Sequence, residues 1–195
     1  MMPFRTFITV IAALLACDQA LASDDALLRL IESRRAADRE IALQIWNWAE
    51  VGYQETQTSA RLQKELVSAG FRVTAGVAGM PTAFVAEYGS GQPVIAILAE
   101  MDALPGVSQA ATPERQPLRG RISGHACGHH LFGTGSASAA IAVKDWMQRE
   151  GVRGTIRLTG RQPRRAVRVR RTWCAPGSLT MWMLRCTGMR AIAMP

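Results

Sequence analysis

An α/β fold is what the sequence predicts, and three observations predict it. Apolar residues recur at helical spacing from Asp24 to Glu50. Three strand-like segments follow between Phe71 and Ala99. The last of these, VIAILA at Val94–Ala99, is apolar throughout instead of alternating, which is the habit of a strand covered on both faces in an α/β sheet.

The chain opens with Arg5, an apolar run Phe7–Ala16 and a first acidic residue at Asp18. A basic start before a short apolar stretch is the layout of a secretory signal, predicted over residues 1–22, and the stretch is too short to span a bilayer. Export to the periplasm is therefore expected. Ala20-Leu21-Ala22 before Ser23 resembles a signal-peptidase site, whereas Leu14-Leu15-Ala16-Cys17 resembles a lipoprotein box that would anchor the protein through Cys17. An amphipathic start to the first helix is the plainer alternative.

Leu27, Leu28, Ile31, Ile41, Ile45 and Trp48 then recur at three- and four-residue steps, predicting helix with one break near residues 34–38. Tyr53 and Glu55 fall in a loop after Gly52, and Thr56 or Thr58 is placed to cap a helix that runs through Leu66 and stops at Gly70. Strands are expected at Phe71–Val77, Thr82–Tyr88 and Val94–Ala99, separated by Gly79-Met80-Pro81 and by the Gly- and Pro-containing residues 89–93. A helix of small residues over 133–149 and a strand over 154–158 close the regular pattern.

Composition separates the tail from the rest. Of the 195 residues, 161–195 hold eight arginines and no acid, while 1–160 carry 15 basic and 15 acidic side chains, so the net charge of +8 belongs to the tail. Mixed aromatic and basic residues there admit nucleic-acid binding, but no recognition fold surrounds them and no specific nucleic-acid partner is expected. Cys17, Cys127, Cys174 and Cys186 do not have the spacing of a small disulfide framework.

The chemistry-bearing residues are concentrated. Glu100-Met101-Asp102-Ala103-Leu104-Pro105 places carboxylates where an apolar strand ends, and ligands of open α/β sheets gather at such ends. Farther along, Gly124-His125-Ala126-Cys127-Gly128-His129-His130 sets a thiol and three imidazoles on a glycine-relieved turn. Sulfur with imidazole nitrogen suits zinc or a related transition metal. The same Cys127 and His129 also admit a nucleophile–base pair, although no Asn or Asp orienter follows. A stable α/β module without chemistry is the bland alternative.

EMDALPG, GHACGHHLFGTGS and GTIRL together resemble the M20 metallopeptidase family, in the amidohydrolase branch that holds aminobenzoyl-glutamate and N-acyl-amino-acid hydrolases. The resemblance covers about residues 24–160. It implies a zinc-peptidase-like catalytic domain over 23–160, a mixed sheet flanked by helices, which is incomplete and has no lid or dimerisation domain. It implies Cys127 and His129 as metal ligands and Asp102 as the catalytic-site aspartate that orients a metal-binding group; His125 and His130 flank them and are read as structural or as supports behind the ligands, with direct ligation as the alternative. The cofactor implied is a divalent metal, zinc with manganese or cobalt as alternatives, and two ions in an intact relative. The substrate implied is a small amide or acyl-amino acid, and the intact relative is expected to be a homodimer.

The chain departs from that pattern after Gly160. The family has a Glu-Glu pair and later histidines where this sequence has Arg164-Arg165 and no histidine beyond His130. Taking the last base of each codon with the first two of the next allows GRQPRRAVR to encode TPAEEGGS, and LTMWMLRCTGMR to encode DDVDAALHWHA. The first product supplies the acid pair and the second supplies histidines. Residues 161–195 are thus expected to be a frame-shifted, disordered tail, and the chain is expected to be inactive alone.

Overall fold

The computed structural model describes residues 25–161. The predicted signal with Cys17, and the arginine-rich tail from residue 162 with Cys174 and Cys186, lie outside the described residues.

The first helical stretch divides as its periodicity indicates, into α1 (residues 25–33) and α2 (Arg35–Trp48), with Arg34 at the joint. Arg34 reaches Asp38 at 3.3 Å and Glu65 at 2.6 Å, so the break is tied to the next helix. α2 buries Ile41, Ala42 and Ile45, and α3 (Thr56–Ser68) buries Thr58, Ser59, Leu62 and Leu66, one stripe on each helix.

The expected threonine cap of α3 is corrected by the structure. No side chain of the capping residue serves the helix start; the Glu50 carboxylate accepts the backbone N–H of Gln57 at 3.0 Å and of Thr58 at 2.8 Å, and the Thr56 hydroxyl at 3.1 Å. A full negative charge answers both the free amides and the positive end of the helix dipole, which a hydroxyl does less well.

Four strands form a mixed sheet: β1 (Arg72–Ala75), β2 (Phe84–Ser90), β3 (Val94–Glu100) and, after a long excursion, β6 (Gly154–Arg161). Their order is β1-β2-β6-β3, with β1–β2 and β2–β6 antiparallel and β3–β6 parallel. The excursion holds a two-residue pairing of β4 (Leu104–Pro105) with β5 (Ser123–Gly124), and then α4 (His129–Glu150). β6 outruns its predicted end and takes Arg161 into the sheet, so the boundary read at residue 160 falls inside a strand.

One core joins α2, α3 and α4 to a single face of the sheet, through Phe84, Ala86, Ala99, Ile156 and Leu158. Gly160 is part of that packing: a Cβ there would stand 2.1 Å from the Phe84 ring, so the ring lies over the bare backbone of β6. The intervening residues Glu87 and Arg157 point to the opposite face and pair at 2.6 Å. The expectation that VIAILA is covered on both faces is not met within the described residues. β3 is the outer strand of this sheet, and Ile95 is 55% exposed. An all-apolar strand states a need for cover, but not which element supplies it.

The small residues of α4 do let it approach the sheet closely. A Cβ on Gly133 would meet the Glu100 carbonyl oxygen at 2.9 Å, and the Ser136 hydroxyl donates to the Leu98 carbonyl at 2.7 Å. The N-terminal turn of α4 is thereby pressed against the end of β3. Among the described residues, no helix is long and apolar enough to cross a membrane.

Candidate functional site

Where β3 ends, Met101, Asp102 and Ala103 are all buried, and the Ala103 N–H donates to the Glu50 carbonyl at 2.7 Å. The β4–β5 pairing then returns the chain to the same place, matching Leu104 with Gly124 and Pro105 with Ser123. Gly124 is required by this approach, because a Cβ would lie 2.2 Å from the Val107 carbonyl oxygen. The next residues make a turn closed by the Gly128 N–H on the His125 carbonyl at 3.0 Å. Gly128 adopts φ +74° just before α4, a conformation glycine takes without the strain of a side chain. α4 begins at His129, four residues earlier than the small-residue pattern indicates.

The turn delivers His129 onto two carboxylates. Its Nδ1 is 2.7 Å from Asp102 Oδ1 and 3.2 Å from the Asp102 carbonyl, and its Nε2 is 3.3 Å from Glu100 Oε2. Glu100 is held in turn by Arg161 at 3.3 Å across the parallel β3–β6 pair. The hydrogen bond to Asp102 raises the His129 pKa above the usual imidazole value, against the opposing effect of burial, and the charges of Asp102 and Glu100 add to the rise. With Nδ1–H committed to Asp102, the nitrogen that remains for other chemistry is Nε2.

His125 and His130 make their closest contacts with α2. His125 is 4% exposed, and its Nε2–H donates to the Ile45 carbonyl of α2 at 3.1 Å. Burial, followed by the neighbouring His130, pushes His125 down to about 4, so the ring is neutral near pH 7. His130 packs edge-on to Trp46 with ring centres 4.9 Å apart and lies 5.0 Å from His125, and burial lowers its pKa too. The Ser123 hydroxyl donates to the Ala49 carbonyl at 2.6 Å. The strand and turn that lead into the site thus each donate to a carbonyl near the end of α2, that of Ile45 also accepting the Ala49 N–H at 3.0 Å.

Asp102 and His129, both singled out in the sequence, are therefore in direct contact. Cys127 is an exposed free thiol, and no hydrogen bond joins it to His129 among the described residues, which weakens the nucleophile–base reading. As donors, the thiol and imidazole suit a divalent metal, and Asp102 fixes the His129 tautomer as a carboxylate behind a ligating histidine does. The described residues bring together no group of three or more His, Cys, Asp or Glu able to hold an ion, so the donor chemistry fits while the set remains partial. Glu100, Arg161 and Trp46 are members of the neighbourhood that sequence reasoning did not assign. Only Glu100 left a signal, standing two residues before Asp102 at the strand end. A cavity of about 490 Å³ lined by Gly89, Gln92, Met147 and Arg153 opens at the other end of the strands, away from these groups.

No family model matches the chain. Over 139 residues it is 44% identical to a p-aminobenzoyl-glutamate hydrolase subunit of Escherichia coli, covering 69% of this chain and 29% of that protein. It is 33% identical over 110 residues to IAA-amino acid hydrolase ILR1-like 5 of Arabidopsis thaliana, covering 56% of this chain and 24% of that one. A Bacillus subtilis dinuclear metal binding peptidase from the M20 family superposes with a TM-score of 0.56 at 23% identity, over 66% of this chain and 35% of that chain.

In fold the chain is similar to an M20 peptidase.

The matched region spans less than a third of the length of these curated relatives. The mixed sheet with helices on it is the part of the M20 catalytic domain that the neighbours share with this chain.

Proposed function

We propose that this chain carries the N-terminal share of a metal-dependent amidohydrolase site, for an aminobenzoyl-glutamate or N-acyl-amino-acid type of substrate. The observation that carries the reading is the 2.7 Å contact of Asp102 with His129 Nδ1 at the end of β3, beside the Cys127 turn. The names of the relatives support the substrate class. In this reading Cys127 and His129 hold the ion, with zinc favoured by the thiolate and manganese or cobalt as alternatives.

Asp102 keeps the proton on Nδ1 and so leaves the lone pair on Nε2, the nitrogen that faces Glu100. Arg161 restrains Glu100 beside that nitrogen. A bound divalent metal would polarise the amide carbonyl and acidify a water in such a site. Two donors hold an ion weakly, and the proton-transferring Glu expected of the family is not assigned to any described residue. The chain is therefore read as inactive by itself, with two ions and homodimerisation belonging to the proposal for an intact relative, and export to the periplasm proposed for this chain through the signal-like residues 1–22.

The test is to incubate the purified chain with zinc and p-aminobenzoyl-glutamate while measuring bound metal. Weak zinc uptake that depends on Cys127, without hydrolysis, is expected. Chelator-sensitive turnover at ordinary metalloenzyme rates, on the order of 1 s⁻¹ or more, would refute the inactive reading. Zinc uptake indifferent to Cys127→Ser would refute the ligand assignment.

A further inference from the structure

His125 is the inward anchor of a turn whose other side chains face out. Ala126 and Cys127 are exposed, whereas the His125 ring is buried and its Nε2 reaches α2, 80 residues back in sequence, at Ile45. The backbone carbonyl of the same residue accepts the Gly128 N–H that closes the turn, so one residue fixes both where the turn sits and how it is shaped. His129 follows directly and Cys127 lies inside the turn. The ring is further confined by His130 at 5.0 Å and Trp46 at 6.3 Å, both at ring centres. The Ser123–Ala49 hydrogen bond is a second tether between the same two segments.

We propose that His125 is a positioning residue: by tying the turn to the end of α2, it sets the separation at which Cys127 and His129 present sulfur and nitrogen to a divalent cation. The proposal rests on the reading that those two residues are ligands. A turn free to shift by a few tenths of an ångström changes the sulfur–nitrogen span that an ion must bridge. Partners behind metal ligands typically matter by about 10- to 100-fold in affinity.

Cobalt(II) is the probe, because thiolate coordination gives it a charge-transfer absorption that reports sulfur directly. The full chain is titrated alongside Cys127→Ser, His129→Ala, His125→Phe and His125→Gln. The band is expected in the parent and absent from Cys127→Ser. His125→Phe keeps a ring beside Trp46 but loses the donor to Ile45, and a tenfold or greater rise in the cobalt Kd is expected with unchanged far-ultraviolet circular dichroism. His125→Gln restores an N–H and is expected to recover part of that loss, which a purely space-filling role would not do.

Parent-like Kd values in both His125 variants would overturn the positioning role while leaving the ligands standing. No band in the parent, or a band that survives Cys127→Ser or keeps its parent Kd in His129→Ala, would overturn the ligand reading instead. Should His125→Phe fail to fold, His125→Leu takes its place: weakened cobalt binding there that His125→Gln partly recovers supports the tether, and parent-like binding in His125→Leu refutes it.

Discussion

Adding one methyl group at Gly160 should test the register that places Arg161 beside Glu100. The new Cβ would stand 2.1, 2.4 and 2.6 Å from three atoms of the Phe84 ring, the nearest about 1.4 Å inside the ~3.5 Å at which carbon atoms meet comfortably. Phe84 is fully buried, and its strand is paired to β6 with Phe84 opposite Gly160, so neither the ring nor the strand can withdraw freely. Overpacking of this kind costs about 1–3 kcal/mol, partly offset by the roughly 0.4–1 kcal/mol gained when alanine restricts the unfolded chain. Gly160→Ala is therefore expected to lower unfolding stability by about 1–2 kcal/mol in urea titrations followed by circular dichroism. The smaller Phe84→Leu should be destabilising alone, yet the double variant should be more stable than the sum of the single losses by at least about 0.5 kcal/mol, the coupling expected of touching residues. A Gly160→Ala midpoint equal to that of the parent, or strictly additive losses, would show that Phe84 does not lie over Gly160.

Three further outcomes are expected. Asp102→Asn should weaken cobalt or zinc binding by about 10- to 100-fold by loosening the His129 ring, and parent-like affinity in a titration would remove Asp102 from that role. Burial pushes the Glu50 carboxyl up, but the Thr58 and Gln57 amide bonds outweigh it and hold its folded pKa below the ordinary glutamate value. A depressed folded pKa gives stability that is full above the unfolded value and lost as pH falls through the folded one. Glu50→Gln should accordingly flatten the acid side of the stability–pH curve below about pH 4.5, and an unchanged curve would argue against the cap. Finally, the nucleotide sequence over codons 160–195 is expected to spell TPAEEGGS and DDVDAALHWHA in the neighbouring frame; any other reading there removes the frame-shift explanation of the tail.

The M20 resemblance and much of the layout were legible along the chain because they depend on local order. Helical spacing marked α2 and α3 with a break near residues 34–38, and the MDALP and GHACGHH motifs marked the residues that the fold brings to one strand end. The α4 start was misplaced because Gly128, in a left-handed conformation, lets the helix begin at His129, ahead of the small-residue run used to recognise it.

By itself the sequence determined which segments would be helix or strand and which residue types could bind a metal, since periodicity and donor chemistry are properties of neighbours. Only the tertiary structure decided the partners. Asp102 and His129 are 27 residues apart, His125 and Ile45 are 80 apart, and Glu100 meets Arg161 because β3 and β6 run side by side. Glu50 in place of a threonine at the start of α3, and the exposure of Ile95 on an outer strand, have the same origin. Hydrogen bonds and burial are satisfied in space, and the chain must close its loops before such contacts exist.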